Sequence, residues 1–129
     1  MITREGIERI FLEIQPHYVR IGDVEGYASL FTDDAVWWPL GRETRIGPRQ
    51  IAEGFATVIL GCRIEAVFKA VELVVRENFG LAALHGVETI HFDNVEATQV
   101  VQSRELWEFR QTACGPKISR MLWNQAPPE

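Results

Sequence analysis

The change of hydrophobic periodicity near Cys62 constrains the fold more than any other feature of this chain. Before it, apolar residues recur every three or four positions, as on one face of a helix; after it they alternate, as in strands. Turn-forming groups at Asn78, Asp93–Asn94 and Cys114–Pro116 divide the second part. Hairpin-length links of this kind join antiparallel strands. We therefore predict four antiparallel strands, over residues 63–78, 79–92, 98–111 and 117–125.

The first part of the chain predicts helices that cover this sheet. Apolar residues spaced at three and four predict a helix from Thr3 to about Arg20, and Pro16, which has no amide to donate, predicts a kink in it. Asp23 is suited to cap a second helix. This helix carries an apolar face and ends at a predicted turn, Thr32–Asp34. Its apolar face consists of Val24, Tyr27, Leu30 and Phe31.

A short aromatic strand and a third helix follow. Residues 35–38 favour a strand, and Pro39 ends it. Trp37 and Trp38 are adjacent, so they point to opposite faces, one toward a core or cavity. A third helix is predicted to begin at Gly47–Pro48 and to end at Gly61. Three arginines flank the loop between the short strand and this helix, and they either attract an acidic ligand or form solvated surface ion pairs. These are Arg42, Arg45 and Arg49.

Length and composition exclude several classes of protein. A chain of 129 residues predicts one domain, residues 1–129, and the formal net charge of −5 argues against nucleic acid and anionic membranes as partners. No apolar run reaches membrane-spanning length, and the N-terminus lacks a signal-peptide pattern. Cys62 and Cys114 form neither a metal-binding spacing nor a disulfide framework. We expect a cytoplasmic protein with reduced thiols.

The fold class expected is α+β, with N-terminal helices packed on a strongly curved antiparallel sheet that forms a cone with an internal pocket.

The order of these elements resembles a known superfamily. Gly22–Asp23 precedes a helix ending in LFTDDAVWWPLG, Gly47 precedes IAEGF, and RELWEF is followed by a turn and ISRMLWNQ. This arrangement resembles the nuclear transport factor 2-like superfamily, also called cystatin-like, in its SnoaL-like and ketosteroid-isomerase-like branch. The resemblance implies a conical pocket and a homodimer with sheet faces packed together.

Few of the functional residues of the isomerases in this branch have a counterpart at the matching positions of this chain. The place of the isomerases' proton-shuttling aspartate holds Trp38. The place of their oxyanion-binding tyrosine holds Gln15, with Tyr18 nearly a turn later. Glu105 matches a third, acidic position. A steroid isomerase is therefore not expected.

Glu105 is the strongest candidate for a chemical role. Strand alternation places it on an aromatic face with Ser103, Trp107 and Phe109, which we expect to be buried. Loss of hydration would raise the pKa of its carboxyl and allow proton transfer near neutral pH. The alternative is a structural ion that is paired with an arginine or that caps a backbone amide.

The strand of residues 79–92 has two possible phases. Glu88 faces inward if Leu84 and Ile90 do, and His85 and His91 face inward in the opposite phase. The two histidines lie six positions apart, roughly 20 Å, so they cannot bind one metal ion together. We predict no metal site, no activated serine or cysteine nucleophile, and no nucleotide cofactor.

These observations favour a small-molecule-binding domain with a largely apolar pocket. The expected ligand is a small apolar or aromatic molecule. A proton-transfer reaction of isomerase, cyclase or dehydratase type on a carbonyl-bearing or aromatic substrate would use Glu105 and Tyr18 as catalytic groups. The alternative is a non-catalytic module for ligand binding or dimerisation. In either case we expect a homodimer formed through the outer sheet face. The predicted pocket residues are Trp38, Phe55, Glu88, Trp107 and Phe109.

Overall fold

The computed structural model describes residues 1–128 and contains four α-helices, one π-helical segment and six strands. The helices are α1 (Arg4–Arg9), α2 (Gln15–Ile21), α3 (Val24–Ala28) and α4 (Gly47–Val58), with the π-helical segment (Ile10–Ile14) between α1 and α2. The strands are β1 (Phe31–Trp38), β2 (Arg45–Ile46), β3 (Cys62–Val75), β4 (Phe79–Phe92), β5 (Thr98–Thr112) and β6 (Gly115–Gln125). No helix in this part of the chain is both long and apolar enough to cross a membrane.

The four long strands form the predicted antiparallel meander, with bounds close to those expected from sequence. The sheet order is β2-β1-β6-β5-β4-β3. The α+β class is confirmed, but the sheet is mixed rather than wholly antiparallel, because β1 pairs with β6 in parallel. Parallel partners need a long connection, and all the elements from β2 to β5 lie between these two strands in the chain. The six-stranded sheet remains open, and the helices cover its inner face.

The predicted first helix is interrupted one turn before Pro16 rather than at it. In the π-helical segment the amide of Gln15 bonds the carbonyl of Ile10, five residues back. Pro16 then stands in the first turn of α2, where no intrahelical amide donor is needed. Such π turns often occur at functional sites. Here Gln15, the residue that follows the π turn, is only 5% exposed.

The second helix begins as predicted but ends earlier. Oδ1 of Asp23 accepts a 2.9 Å hydrogen bond from the amide of Gly26, which confirms the cap. The turn predicted at Thr32–Asp34 is wrong, because these residues lie within β1. The pairing of β1 with β6 is irregular between Phe31 and Val36. This irregularity leaves Asp33 and Asp34 exposed while their apolar neighbours stay buried.

Candidate functional site

An inner chamber lies between the helices and the sheet and is lined by all four long strands. Its volume is about 40 Å³, which is room for about three water molecules. Helices α2, α3 and α4 provide Gln15, Val19, Tyr27, Phe55 and Val58; the strands provide Trp37, Ile64, Ala66, Phe68, Glu88, Glu105, Met121 and Trp123.

A larger mouth of about 400 Å³ adjoins this chamber. Four residues, Val58, Ile64, Glu88 and Trp123, line both spaces, so we treat them as one conical cavity with a narrow closed end. The mouth is bordered by apolar side chains such as Leu60 and by amides from β5 and β6. The combined dimensions suit a small molecule with a compact head.

Glu105 lies at the closed end and accepts two hydrogen bonds. Ser103 Oγ donates to Oε2 at 2.7 Å, and Trp107 Nε1 donates to Oε1 at 3.0 Å. All three side chains project from the inner face of β5, as strand alternation predicts. Glu105 is 6% exposed, and no ion pair to it is found among the described residues. The alternative of an arginine-paired structural ion therefore finds no support in the structure.

The environment of Glu105 favours its neutral form. Burial raises the pKa of the carboxyl to about 7, the hydrogen bonds from Ser103 and Trp107 oppose this, and the charge of Glu88 adds to it. Burial likewise raises the pKa of the Glu88 carboxyl. Two carboxyls in one small space without a nearby cation cannot both ionise readily, so the cavity retains a proton near neutral pH.

The structure settles the phase of β4. Leu84 is buried and Glu88 lines the cavity, so the even-numbered residues face inward. His85 and His91 belong to the opposite phase, and they contact Gln102 and Glu65 respectively. Among residues 1–128, no group of three potential metal-ligating side chains is close enough to hold an ion.

A second hydrogen-bonded group, centred on Tyr27, lines the chamber. Trp37 Nε1 donates to the Tyr27 hydroxyl oxygen at 3.1 Å, and that hydroxyl donates to Met121 Sδ at 3.5 Å. The ring of Tyr27 stacks on Phe55, with centroids 4.0 Å apart. Burial raises the pKa of the Tyr27 hydroxyl above its ordinary value, and the carboxyls of Glu105 and Glu88 add to that effect. The hydroxyl therefore stays protonated, and its sulfur partner is a weak acceptor that a ligand oxygen can replace.

Gln15 adds an unsatisfied polar group. Its Oε1 is buried, and no hydrogen bond to it is found within residues 1–128. Buried polar atoms are normally satisfied, so a ligand or a water molecule is the expected partner for this amide.

Comparison with known proteins identifies the architecture. No family model and no curated protein matches the chain. A ketosteroid isomerase-like protein from Erwinia carotovora atroseptica superposes with a TM-score of 0.78 at 18% identity, covering 94% of this chain and 98% of that one. An NTF2-like protein with a cystatin-like fold from Novosphingobium aromaticivorans gives 0.77 at 20% identity, covering 97% and 84%. A domain of unknown function with a cystatin-like fold from Nostoc punctiforme gives 0.76 at 19% identity, covering 98% and 81%.

This chain has the nuclear transport factor 2-like fold. The superfamily resemblance predicted from sequence is thereby confirmed at the level of fold.

Within the nuclear transport factor 2-like fold, three of the predicted site residues meet in the chamber: Phe55, Glu88 and Glu105. Trp107 contacts the site from the core side, where its indole bonds Glu105. Phe109 is buried beside Trp107 but does not line the cavity.

Two predicted site residues lie elsewhere in the nuclear transport factor 2-like fold. Trp38 is 39% exposed on the outer face of β1, whereas Trp37 is 1% exposed and lines the chamber. The pair does point to opposite faces, and the inward member is Trp37 because Ala35 and Trp37 share the buried phase of β1. Tyr18 does not line the chamber; its ring packs against Gly26.

Sequence reasoning missed Tyr27, Trp37 and Gln15 as cavity residues. A signal was present for two of them. Gln15 occupies the position that the resemblance matched to an oxyanion-binding tyrosine, and Tyr27 lies on the apolar face predicted for the second helix. For Trp37, nothing in the sequence distinguished its side of β1 from that of Trp38.

Proposed function

We propose that this domain binds a small, largely apolar or aromatic carbonyl compound in the conical cavity and that Glu105 transfers a proton on it. The observation that carries this proposal is the buried Glu105 carboxyl, held by two neutral donors at the closed end of a cavity. The ketosteroid isomerase-like neighbour agrees with this reaction class, although the likeness itself shows only a shared fold.

The pKa of Glu105 suits general acid–base catalysis. With a pKa of about 7, its carboxylate and carboxylic acid forms are both populated near neutral pH. As a base, Glu105 takes a proton from the carbon next to the carbonyl. The electron pair of the broken C–H bond becomes the C=C bond of the enolate, and the π pair of the C=O bond moves to the oxygen. In a substrate with a C=C bond between the second and third carbons from the carbonyl, this enolate is a conjugated dienolate, and return of the proton from Glu105 to its far carbon moves the double bond into conjugation with the carbonyl, with no external reactant.

Tyr27 is placed to stabilise the enolate oxygen. The indole N–H of Trp37 occupies one lone pair of the phenol oxygen, so the hydroxyl hydrogen stays free to be donated. Without a ligand, the Tyr27 hydroxyl donates to the sulfur of Met121. A ligand oxygen that takes the place of this sulfur as acceptor would receive a stronger hydrogen bond as negative charge develops on it. In this proposal Tyr27 takes the oxyanion-donor role expected of Tyr18.

Deuterium exchange tests the proposal directly. Small cyclic ketones are incubated with the protein in D₂O, and loss of the signals from hydrogens next to the carbonyl is followed by NMR. Wild type should accelerate the exchange, and Glu105→Gln should abolish the acceleration. Glu5→Gln is the matched control, because Glu5 is an exposed glutamate on α1 that lines no part of the cavity. Equal rates in wild type and Glu105→Gln would refute proton transfer by this residue.

The alternative of a non-catalytic ligand-binding module is favoured by one observation, the small volume of the closed end. In that case, ketones bind and shift the NMR signals of residues that line the cavity, but no exchange is accelerated. The same experiment therefore separates the two functions.

We also propose that the domain forms a homodimer through its outer sheet face. An outer apolar row crosses four strands at one level, since Ala83 pairs with Leu106, Leu106 with Leu122, and Leu122 with Trp38. Its three large members are all exposed. An exposed apolar row of this kind on a sheet face fits a second copy of the same face.

A further inference from the structure

The conical cavity has an unusual charge composition. Of the described residues that line the inner chamber, two are glutamates and none is Lys, Arg or His. The mouth adds one cation, Arg42, whose exposed side chain bonds Thr57. Arg45 in β2 and Arg49 in α4 line neither space, and both contact Glu53. Among the described residues, no cationic side chain therefore pairs with a carboxylate inside the inner chamber.

Glu88 is the carboxyl that lacks a partner. It lies where the chamber meets the mouth and lines both. No hydrogen bond or ion pair to it is found within residues 1–128, whereas both oxygens of Glu105 are already engaged. Placing an unpaired carboxylate in a largely apolar space is unfavourable, and a cation from a ligand would relieve this.

Aromatic rings lie at the same junction and in the chamber behind it. Trp123 lines both spaces, as Glu88 does, and its indole meets that of Trp37 edge-on with ring centroids 5.6 Å apart. Phe68 lines the chamber from β3. The face of an indole attracts cations, and a combination of aromatic faces with a carboxylate is the usual recognition site for a positively charged nitrogen.

We infer that the ligand of this cavity carries a positively charged nitrogen, held at the junction by the carboxylate of Glu88 and the indole of Trp123. This inference rests on the proposed function, because it names the substrate class: a small carbonyl compound with a cationic nitrogen a few atoms from the carbonyl. The nitrogen lies at the junction, and the carbonyl points to Glu105 and Tyr27 at the closed end.

The two glutamates enter the cavity from different levels of the sheet. Glu105 pairs with Leu84, four residues along β4 from Glu88, so their backbones are offset by about 13 Å along the strands while both side chains line the same chamber. A ligand can therefore contact both side chains at once. The carboxyl of Glu105 can then meet a carbon next to the carbonyl while Glu88 meets the nitrogen.

A pair of ligands that match in shape and differ in charge tests the inference. The probes are 1,1-dimethyl-4-oxopiperidinium, which is permanently cationic, and 4,4-dimethylcyclohexanone, its neutral counterpart. Their dissociation constants are measured by NMR titration of wild-type protein at pH 8. The cation should bind about tenfold more tightly than the neutral ketone. Glu88→Gln should remove this preference, and the control Glu5→Gln should keep it.

The outcomes separate the inference from the proposed function. Equal affinity for the two ketones, or tighter binding of the neutral one, would overturn the inference, and the comparison on wild type holds even if Glu88→Gln does not fold. If the inference is overturned in this way, accelerated exchange of the neutral ketone's hydrogens for deuterium would still support proton transfer by Glu105. A strong preference for the cation without accelerated exchange of either ketone would keep the inference and overturn the proton-transfer proposal. Failure of both ketones to bind would contradict both.

Discussion

The hydroxyl of Ser103 donates a 2.7 Å hydrogen bond to Oε2 of Glu105, two residues further along the same face of β5. Alternation along a strand brings i and i+2 side chains to one side, so this contact follows from local geometry once the inner face is chosen. With the indole of Trp107 on the other oxygen, it fixes the carboxyl at the end of the chamber. Burial raises the pKa of the Glu105 carboxyl, and the hydrogen bond from Ser103 lowers it by stabilising the carboxylate. The pKa is therefore about 7 rather than higher.

The pKa of Glu105 predicts how stability depends on pH. The carboxyl titrates at about 7 in the folded protein against 4.5 as its ordinary value, so the unfolded chain loses this proton first as pH rises. The free energy of unfolding should therefore fall between about pH 4.5 and 7, by up to about 3 kcal/mol from this group, and level off above that range.

Urea unfolding of wild type and Glu105→Gln at pH 5 and pH 8 measures this effect. The variant should lose less stability than wild type on going from pH 5 to pH 8. Glu88 is present in both proteins, so its own titration largely cancels in the comparison. The same pH dependence in both proteins would contradict the assignment.

Gly86 should be needed to place Ser103. A Cβ at Gly86 would overlap with Ser103 Oγ and lie 2.9 Å from Phe68 Cε1. Gly86→Ala should therefore displace the hydroxyl from Glu105, lower the free energy of unfolding by about 1–3 kcal/mol, and raise the pKa of Glu105 further. The pKa is measured by NMR titration.

A double-mutant cycle with Ser103→Ala provides the control for this prediction. Removal of Oγ creates part of the room that the new methyl group needs. The combined loss of stability should therefore be smaller than the sum of the two single losses. Additive losses would show that the hydroxyl is not the group that Gly86 accommodates.

Tyr27 and Tyr18 should respond differently to loss of their hydroxyls. Tyr27→Phe leaves the buried N–H of Trp37 without its acceptor, which should cost about 1–3 kcal/mol of stability. It should also slow ketone hydrogen exchange about a hundredfold if Tyr27 supports the enolate oxygen. Tyr18→Phe should change neither quantity much, since the Tyr18 hydroxyl takes part in no hydrogen bond within residues 1–128. Thermal unfolding and exchange rates measure both, and equal effects of the two substitutions would contradict this placement.

The outer apolar row should control association. Leu106→Glu places a charge at the middle of the row, where Leu106 pairs with both Ala83 and Leu122, and should convert a dimer into a monomer. Sedimentation velocity measures the change. Val95→Glu, an equally polar change at an exposed loop position, should leave the dimer intact. A wild-type monomer at high concentration, or a Leu106→Glu dimer, would refute the proposed interface.

Local sequence patterns are sufficient to predict the helices, the four long strands and the inner face of β5. The signals are a period of two or of three to four residues, a capping Asp23 and a Pro39 that ends β1. Strand alternation needs only one buried residue to orient every other residue of the strand. The sequence alone therefore places Glu105, Ser103 and Trp107 together on one face.

Tertiary packing decides which side chains meet across the cavity. The parallel pairing of β1 with β6 joins segments more than 70 residues apart, and it makes Trp37 the inward tryptophan. The π turn before Pro16 precedes a buried Gln15, and the packing of α3 on α4 stacks Tyr27 on Phe55. No local pattern encodes these contacts, because each depends on the relative position of elements that are distant in sequence. The position of the Glu105 carboxyl therefore follows from local strand alternation, whereas the positions of the groups around it follow from tertiary packing.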